Sequence, residues 1–138
     1  MRRKEIYLTD TDQRRLRGLL ASKGNLEGRE ERNLSDLLNE LERAEVVPAA
    51  EIPQDVVTMN TRIRLRDIDT GLVAEYTLVF PGEADISKGY LSVLAPIGTA
   101  LLGYRELDTV EWNVPAGLKR FRVEEVLYQP EAEAARLV

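Results

Sequence analysis

Leu16, Leu19 and Leu20, and later Leu34, Leu37, Leu38, Leu41 and Ala44, recur at helical spacing along the first third of the chain. Thr9 and Asp12 form a Thr-x-x-Asp box, the pattern in which a side-chain oxygen caps the first turn of a helix. Gly24 after Lys23 is a stop signal, Ser35 with Asp36 is a second start, and Pro48 closes the segment. Each predicted helix has a narrow apolar stripe and a charged remainder, and isolated helices of this length are marginal in water. The pattern therefore predicts an antiparallel two-helix hairpin, a short coiled coil, over residues 1–47. Its tip lies near residues 24–34, in "NLEGREERN". Arms of about 14 residues at about 1.5 Å per residue reach about 20 Å.

Prolines 48 and 53 make residues 48–55 a stiff hinge. Beyond it the period changes to two. Val57, Met59, Ile63 and Leu65 alternate with Arg62, Arg64 and Arg66, predicting a strand with one buried face. "DIDTG" predicts a turn, "LVAEYTLVF" a second strand ended by Pro81–Gly82, and "YLSVLA" a short third one. Pro96 opens a single short helix, "PIGTALLG", which Gly103 ends. "TVEWNV" puts Val110, Trp112 and Val114 on one face, "PAG" turns, and "LKRFRVEEVLYQ" is the last strand. In that strand Phe121 and Val123 share one parity, while Val126 and Tyr128 share the other. A bulge near Glu124–Glu125 reconciles them. The expected class is α+β: the hairpin, then an antiparallel sheet domain with one short helix over residues 56–130, then a tail at 131–138.

Composition narrows the chemistry. The 138 residues suit one ordinary domain, at 43% apolar and 31% charged. No window approaches the roughly 18 apolar residues of a membrane span, and no signal-peptide core follows the basic N-terminus. The expectation is a soluble, cytoplasmic protein with no membrane association. There is no cysteine and no histidine. Thiolate chemistry, Ser–His or Cys–His pairs, phosphohistidine and His-rich metal sites are thereby excluded. No catalytic residue, cofactor or metal is expected. The net charge of −5 falls on residues 51–138, because the first 50 balance. An acidic domain repels phosphate backbones, so a protein partner is expected rather than sequence-specific nucleic-acid binding. A monomer is expected.

Two stretches offer candidate chemistry. At the hairpin tip, Glu27, Glu30 and Glu31 could hold a cation. Arg29 and Arg32 among them repel one, and Mg²⁺ demands near-octahedral oxygen geometry, so a solvated turn is the simpler expectation. Arg62, Arg64 and Arg66 are expected on a solvated strand face, paired across strands with Asp67, Asp69 or Glu75. Trp112 and Phe121 are expected in the core.

"GEADISKGYLSVLAPIGTALLGYRELDTVEWNVPAG", residues 82–117, continuing into "FRVEEVLY", resembles the C-terminal domain of the bacterial Gre transcript-cleavage factors. With "PQDVVTMNTRIRLRD" and the short N-terminal arm, the whole chain looks most like the Rnk branch of that family, named as regulators of nucleoside diphosphate kinase. The resemblance implies a C-terminal fold similar to FK506-binding proteins. It also implies RNA polymerase as partner, met at its secondary channel. Leu94, Ala95, Pro96 and Ile97 stand where Gre factors contact polymerase, although Leu94–Ala95 replaces a more polar pair. Glu27, Glu30 and Glu31 would take the place of the tip acids that hold Mg²⁺ for transcript cleavage. The leading expectation is a non-enzymatic regulator that docks at polymerase and competes with Gre-type factors. The alternatives are a cleavage-stimulating factor using the tip carboxylates, and a protein-binding regulator of nucleotide metabolism.

Overall fold

The side-chain alternation around Arg62–Arg66 produces the middle strand of the molecule. A computed structural model of the chain describes residues 6–21, 37–39, 41–114 and 117–136. In it β3 (Arg62–Asp67) pairs antiparallel with β4 (Val73–Val79) on one side and with β7 (Gly117–Tyr128) on the other. With β5 (Tyr90–Ser92) and β6 (Thr109–Val114) they form a five-stranded sheet ordered β5-β4-β3-β7-β6. Ile63 and Leu65 face the core, and the arginines of β3 face outward. Asp67 closes the β3–β4 turn, its Oδ1 accepting from the N–H groups of Asp69 at 2.9 Å and Thr70 at 3.2 Å.

The sheet is mixed, not antiparallel as expected, because β4 and β5 pair in parallel, Thr77 opposite Tyr90. Residues 80–89 fold into 3-10 turns, Pro81–Glu83 and Ile86–Lys88, which carry the chain back alongside Thr77, so that β5 runs beside the second half of β4. The return closes tightly. A β-carbon on Gly89, whose φ is 79°, would stand 2.8 Å from the Glu75 carbonyl oxygen. The first strand is also shorter than its alternation implies. Val57 and Met59 are buried, but between them and β3 lies a turn in which Thr58 N–H donates to Thr61 Oγ1 at 3.0 Å and Asn60 takes φ 65°. Alternation records burial, and here irregular backbone satisfies it. The bulge expected at Glu124–Glu125 is present: Arg64 faces Glu125 while Leu65 faces Val123. A second register shift follows, Ile63 facing Val126 and Arg62 facing Tyr128.

The arm begins with β1 (Tyr7–Leu8), which leads into α1 (Asp10–Ala21). The expected cap is there, Asp12 N–H donating to Thr9 Oγ1 at 3.2 Å. The chain is helical again at residues 37–39 and 41–42 (α2), then enters β2 (Glu45–Val46), parallel to β1. The signals read at Gly24, Ser35 and the tip lie outside the described residues. Leu16 and Leu20 of α1 and Leu37 and Leu41 of α2 share one buried cluster with Met59, Ile63, Leu78, Val93, Leu101, Val110 and Val123. The arm's inner ends and the sheet therefore have a common core.

The 3-10 turn within residues 48–55 packs against the helix at residues 130–136. Ala49–Glu51 is a 3-10 turn followed by buried Ile52, and Pro130–Arg136 form the helix α4. Buried Gln129 ties the two together, Nε2 donating to the carbonyls of Pro53 at 2.8 Å and Val56 at 2.7 Å.

Candidate functional site

The turn between β5 and α3 (Pro96–Leu101) is built by hydrogen bonds from Ser92 onward. Ser92 Oγ accepts from Leu94 N–H at 3.0 Å, and Ser92 O accepts from Ala95 N–H at 3.0 Å. Ala95 occupies the N-cap with extended backbone and offers no side-chain cap, and Pro96 follows at the first helical position. Thr99 then closes the loop from inside, its buried hydroxyl donating to Val93 O. Val93 itself is pinned to β4 through the Val79 carbonyl at 2.9 Å.

Leu94, Ala95 and Ile97 are thus brought into one turn. Each is half-buried and packs on the central core. Together they form a small apolar rim with no ionisable group in the turn. Glu27, Glu30 and Glu31 lie outside the described residues.

The outer face of the sheet is an ion-pair ladder. Arg62 meets Glu75 at 2.5 Å, Arg64 meets Glu125 at 3.0 Å and Glu75 at 3.5 Å, and Arg66 meets Glu124 at 2.5 Å. Glu75 was expected as a partner. Asp67 and Asp69 instead take Lys119 at 3.3 Å and Arg120 at 2.8 Å on β7. The Arg62 guanidinium, with Arg64 behind it, holds the Glu75 carboxyl below the usual carboxylate range. With the arginines of β3 internally paired, this face is a weak candidate for binding phosphate or an acidic partner.

One group was not found from sequence. Glu131, in the first turn of α4, is 6% exposed and accepts a hydrogen bond from Thr58 Oγ1, which lies 2.8 Å from Thr61 Oγ1. Burial pushes the Glu131 carboxyl up, and the charge of Asp12 on α1 adds to the rise, against the opposing Thr58 hydrogen bond. Asp12 is pushed up as well, by burial first, with Arg15 opposing. A glutamate in an alanine-rich C-terminus carries no local signal of this. Its partner is 73 residues away.

The GreA/GreB C-terminal family of transcription elongation factors matches residues 52–128, spanning the whole sheet and the β5–α3 turn. The chain belongs to this Gre family. Its arm has its own match, the Rnk N-terminus, over residues 4–47. The regulator of nucleoside diphosphate kinase of Escherichia coli K12 is 46% identical over 101 residues, covering 72% of this Gre-family chain and 74% of the relative. Transcription elongation factor GreA of Syntrophotalea carbinolica is 35% identical over 76% of the chain and 64% of that protein. A solved GreA/GreB elongation factor from Nitrosomonas europaea superposes with a TM-score of 0.76 at 40% identity, over 91% of this chain and all of that one.

Proposed function

We propose that this Gre-family chain is a non-enzymatic regulator that binds RNA polymerase. The Leu94–Ile97 turn docks at the secondary channel, the short arm occupies its mouth, and Gre-type factors are excluded from the same site. The sheet domain is read as similar to FK506-binding proteins and the arm as a short coiled coil. The protein acts as a monomer without a cofactor of its own.

The observation that carries this reading is the closed base of the arm. β1 and β2 pair side by side, Tyr7 opposite Glu45, so the chain leaves and returns at one place. The excursion between them leaves at most about 18 residues per arm, or about 27 Å of helix. Such an arm can plug an entrance, but it delivers tip carboxylates only a short way inside. Exclusion then follows mass action, growing with the ratio of concentration to Kd.

Co-sedimentation with core RNA polymerase, with and without a Gre-type factor, tests this. The expected result is binding that the Gre factor displaces. Simultaneous binding of both removes the competition model, and shortening of RNA in backtracked complexes by the purified chain installs the cleavage reading. Recovery of a nucleotide-metabolism enzyme without polymerase supports the second reading, suggested by the name of the Escherichia coli relative. Lacking histidine, the chain cannot itself be a phosphohistidine kinase.

A further inference from the structure

Among the described residues two other than glycine take a positive φ, Asn60 at 65° and Leu107 at 74°. Asparagine enters the left-handed region readily, whereas leucine does so only under constraint. The constraint on Leu107 is a closed turn. Asp108 N–H donates to Arg105 O at 3.0 Å, which makes Arg105–Asp108 a β-turn with positive φ at its third position, where glycine or asparagine relieves the strain. The turn is tied down along its length. Arg105 N–H donates to Asp108 Oδ2 at 2.8 Å, Glu106 N–H to Asp55 O at 2.9 Å and Leu107 N–H to Val123 O at 2.6 Å. Glu106 Oε1 accepts from Val126 N–H at 2.9 Å.

Leucine at this position returns little to the fold. Leu107 is 59% exposed, whereas Leu101, Leu102 and Val110 before and after it are buried. A singly exposed apolar residue needs no explanation, and Leu72 in the β3–β4 turn is one. Leu107 differs because a strained backbone holds it out, and strain of this kind gathers where a surface meets a ligand or a partner. Its neighbours indicate which. Arg105 pairs with Asp55 at 3.2 Å and lies 6.0 Å over the Tyr7 ring of β1, so the turn abuts the base of the arm. The Leu94–Ile97 turn enters α3 and the Arg105–Asp108 turn follows its end, and six helical residues span about 9 Å. An interface of standard size, about 800 Å² per partner, is broad enough for both.

We propose that Leu107 is a second docking residue, an apolar knob beside the base of the arm that fills an apolar pocket on RNA polymerase at the mouth of the channel. This rests on the polymerase reading above and adds a contact to it. An arm that occupies the mouth brings the surface around its own base against the rim, and the rigid turn loses little freedom on docking.

Capture of core RNA polymerase by the full chain, read beside its thermal melt, tests this. Leu107→Asn suits the backbone and removes the apolar side chain. It should melt at or above the temperature of the parent, while capture weakens at least about tenfold through the loss of one apolar anchor. Leu107→Met keeps an apolar side chain of similar volume and should stay within about threefold of the parent. Leu72→Asn, the same change at a more exposed leucine without positive φ, should leave capture within about twofold. Parent-like capture by Leu107→Asn overturns the inference and leaves the polymerase reading standing. So does a fall in its melting temperature of more than about 5 °C, which would mean that the leucine serves the fold. Failure of the parent itself to be captured removes the polymerase reading, and the inference with it.

Discussion

Gly98 in α3 and Ser92 in β5 meet backbone to backbone. A β-carbon on Gly98 would stand 2.0 Å from the Ser92 carbonyl oxygen and 3.3 Å from Leu78 Cδ1. The contact holds the start of the helix against the end of the strand, and the Leu94–Ile97 turn is suspended between them. Neither side of it is a flexible side chain that could swing away. Gly98→Ala should therefore cost about 3 kcal/mol or more, at the top of the range for overpacked sites. Urea unfolding measures it. A loss below about 1 kcal/mol would mean that the turn is not rigidly held.

Leu16 is fully buried, and the cluster it joins runs without a break into the sheet. Leu16→Ala should lower stability by about 2–5 kcal/mol, the usual cost of an unfilled leucine site. More telling is the shape of the transition. Helix content followed by circular dichroism and the fluorescence of Trp112, the sole tryptophan, in β6, should fall together. An arm that melts first, leaving the tryptophan signal intact, would show that arm and sheet are separate folding units.

Which parts of this fold the sequence announced depends on how local their causes are. The Thr9–Asp12 cap, the Pro96 helix start and the bulge at Glu124 were legible because each is decided by neighbours within a few residues. The bulge is the clearest case, since Val123 and Val126 could not both face inward without it. The second shift, near Leu127, left no such conflict, because Val126 and Tyr128 already agree in parity. The parallel pairing of β5 was hidden for another reason. "PGEADISKG" reads as an ordinary turn, and a three-residue strand gives no direction of its own. The turn at 94–97 was singled out through resemblance rather than pattern. The buried Glu131–Thr58 contact was found by neither, because its partners are assembled only in three dimensions.

The Asp67 carboxyl shifts in the opposite direction to that of Glu131. Burial pushes its carboxyl up, but the N–H of Thr70, the Lys119 ammonium and the N–H of Asp69 outweigh it and hold the group below its ordinary value of 3.8. A depressed acid contributes stability above its unfolded value and loses it as pH falls through the folded one. Asp67→Asn should thus lower the melting temperature at pH 7 and flatten the dependence below about pH 4. Thermal melts from pH 2 to pH 7 decide it. The Arg–Glu ladder is exposed, so Arg62→Ala should change stability by less than about 1 kcal/mol. A larger loss, undiminished by salt, would mark the ladder as structural.

The docking proposal separates two surfaces that one binding assay can compare. Leu94 and Ile97 are half-buried, so an apolar-to-charged change at Leu94 keeps most of the core while wetting the rim. Leu94→Lys should weaken capture of RNA polymerase at least about tenfold, the equivalent of about 1.4 kcal/mol for one lost apolar contact. The variant must retain the melting cooperativity of the parent for the comparison to count. The triple change of Glu27, Glu30 and Glu31 to Ala should leave capture within about twofold if the tip is the solvated turn expected from its sequence, since exposed charges contribute little binding energy. If the tip variant loses affinity while Leu94→Lys keeps it, the polarity of the molecule is reversed. The arm would then be the anchor, and the sheet domain would face the solvent.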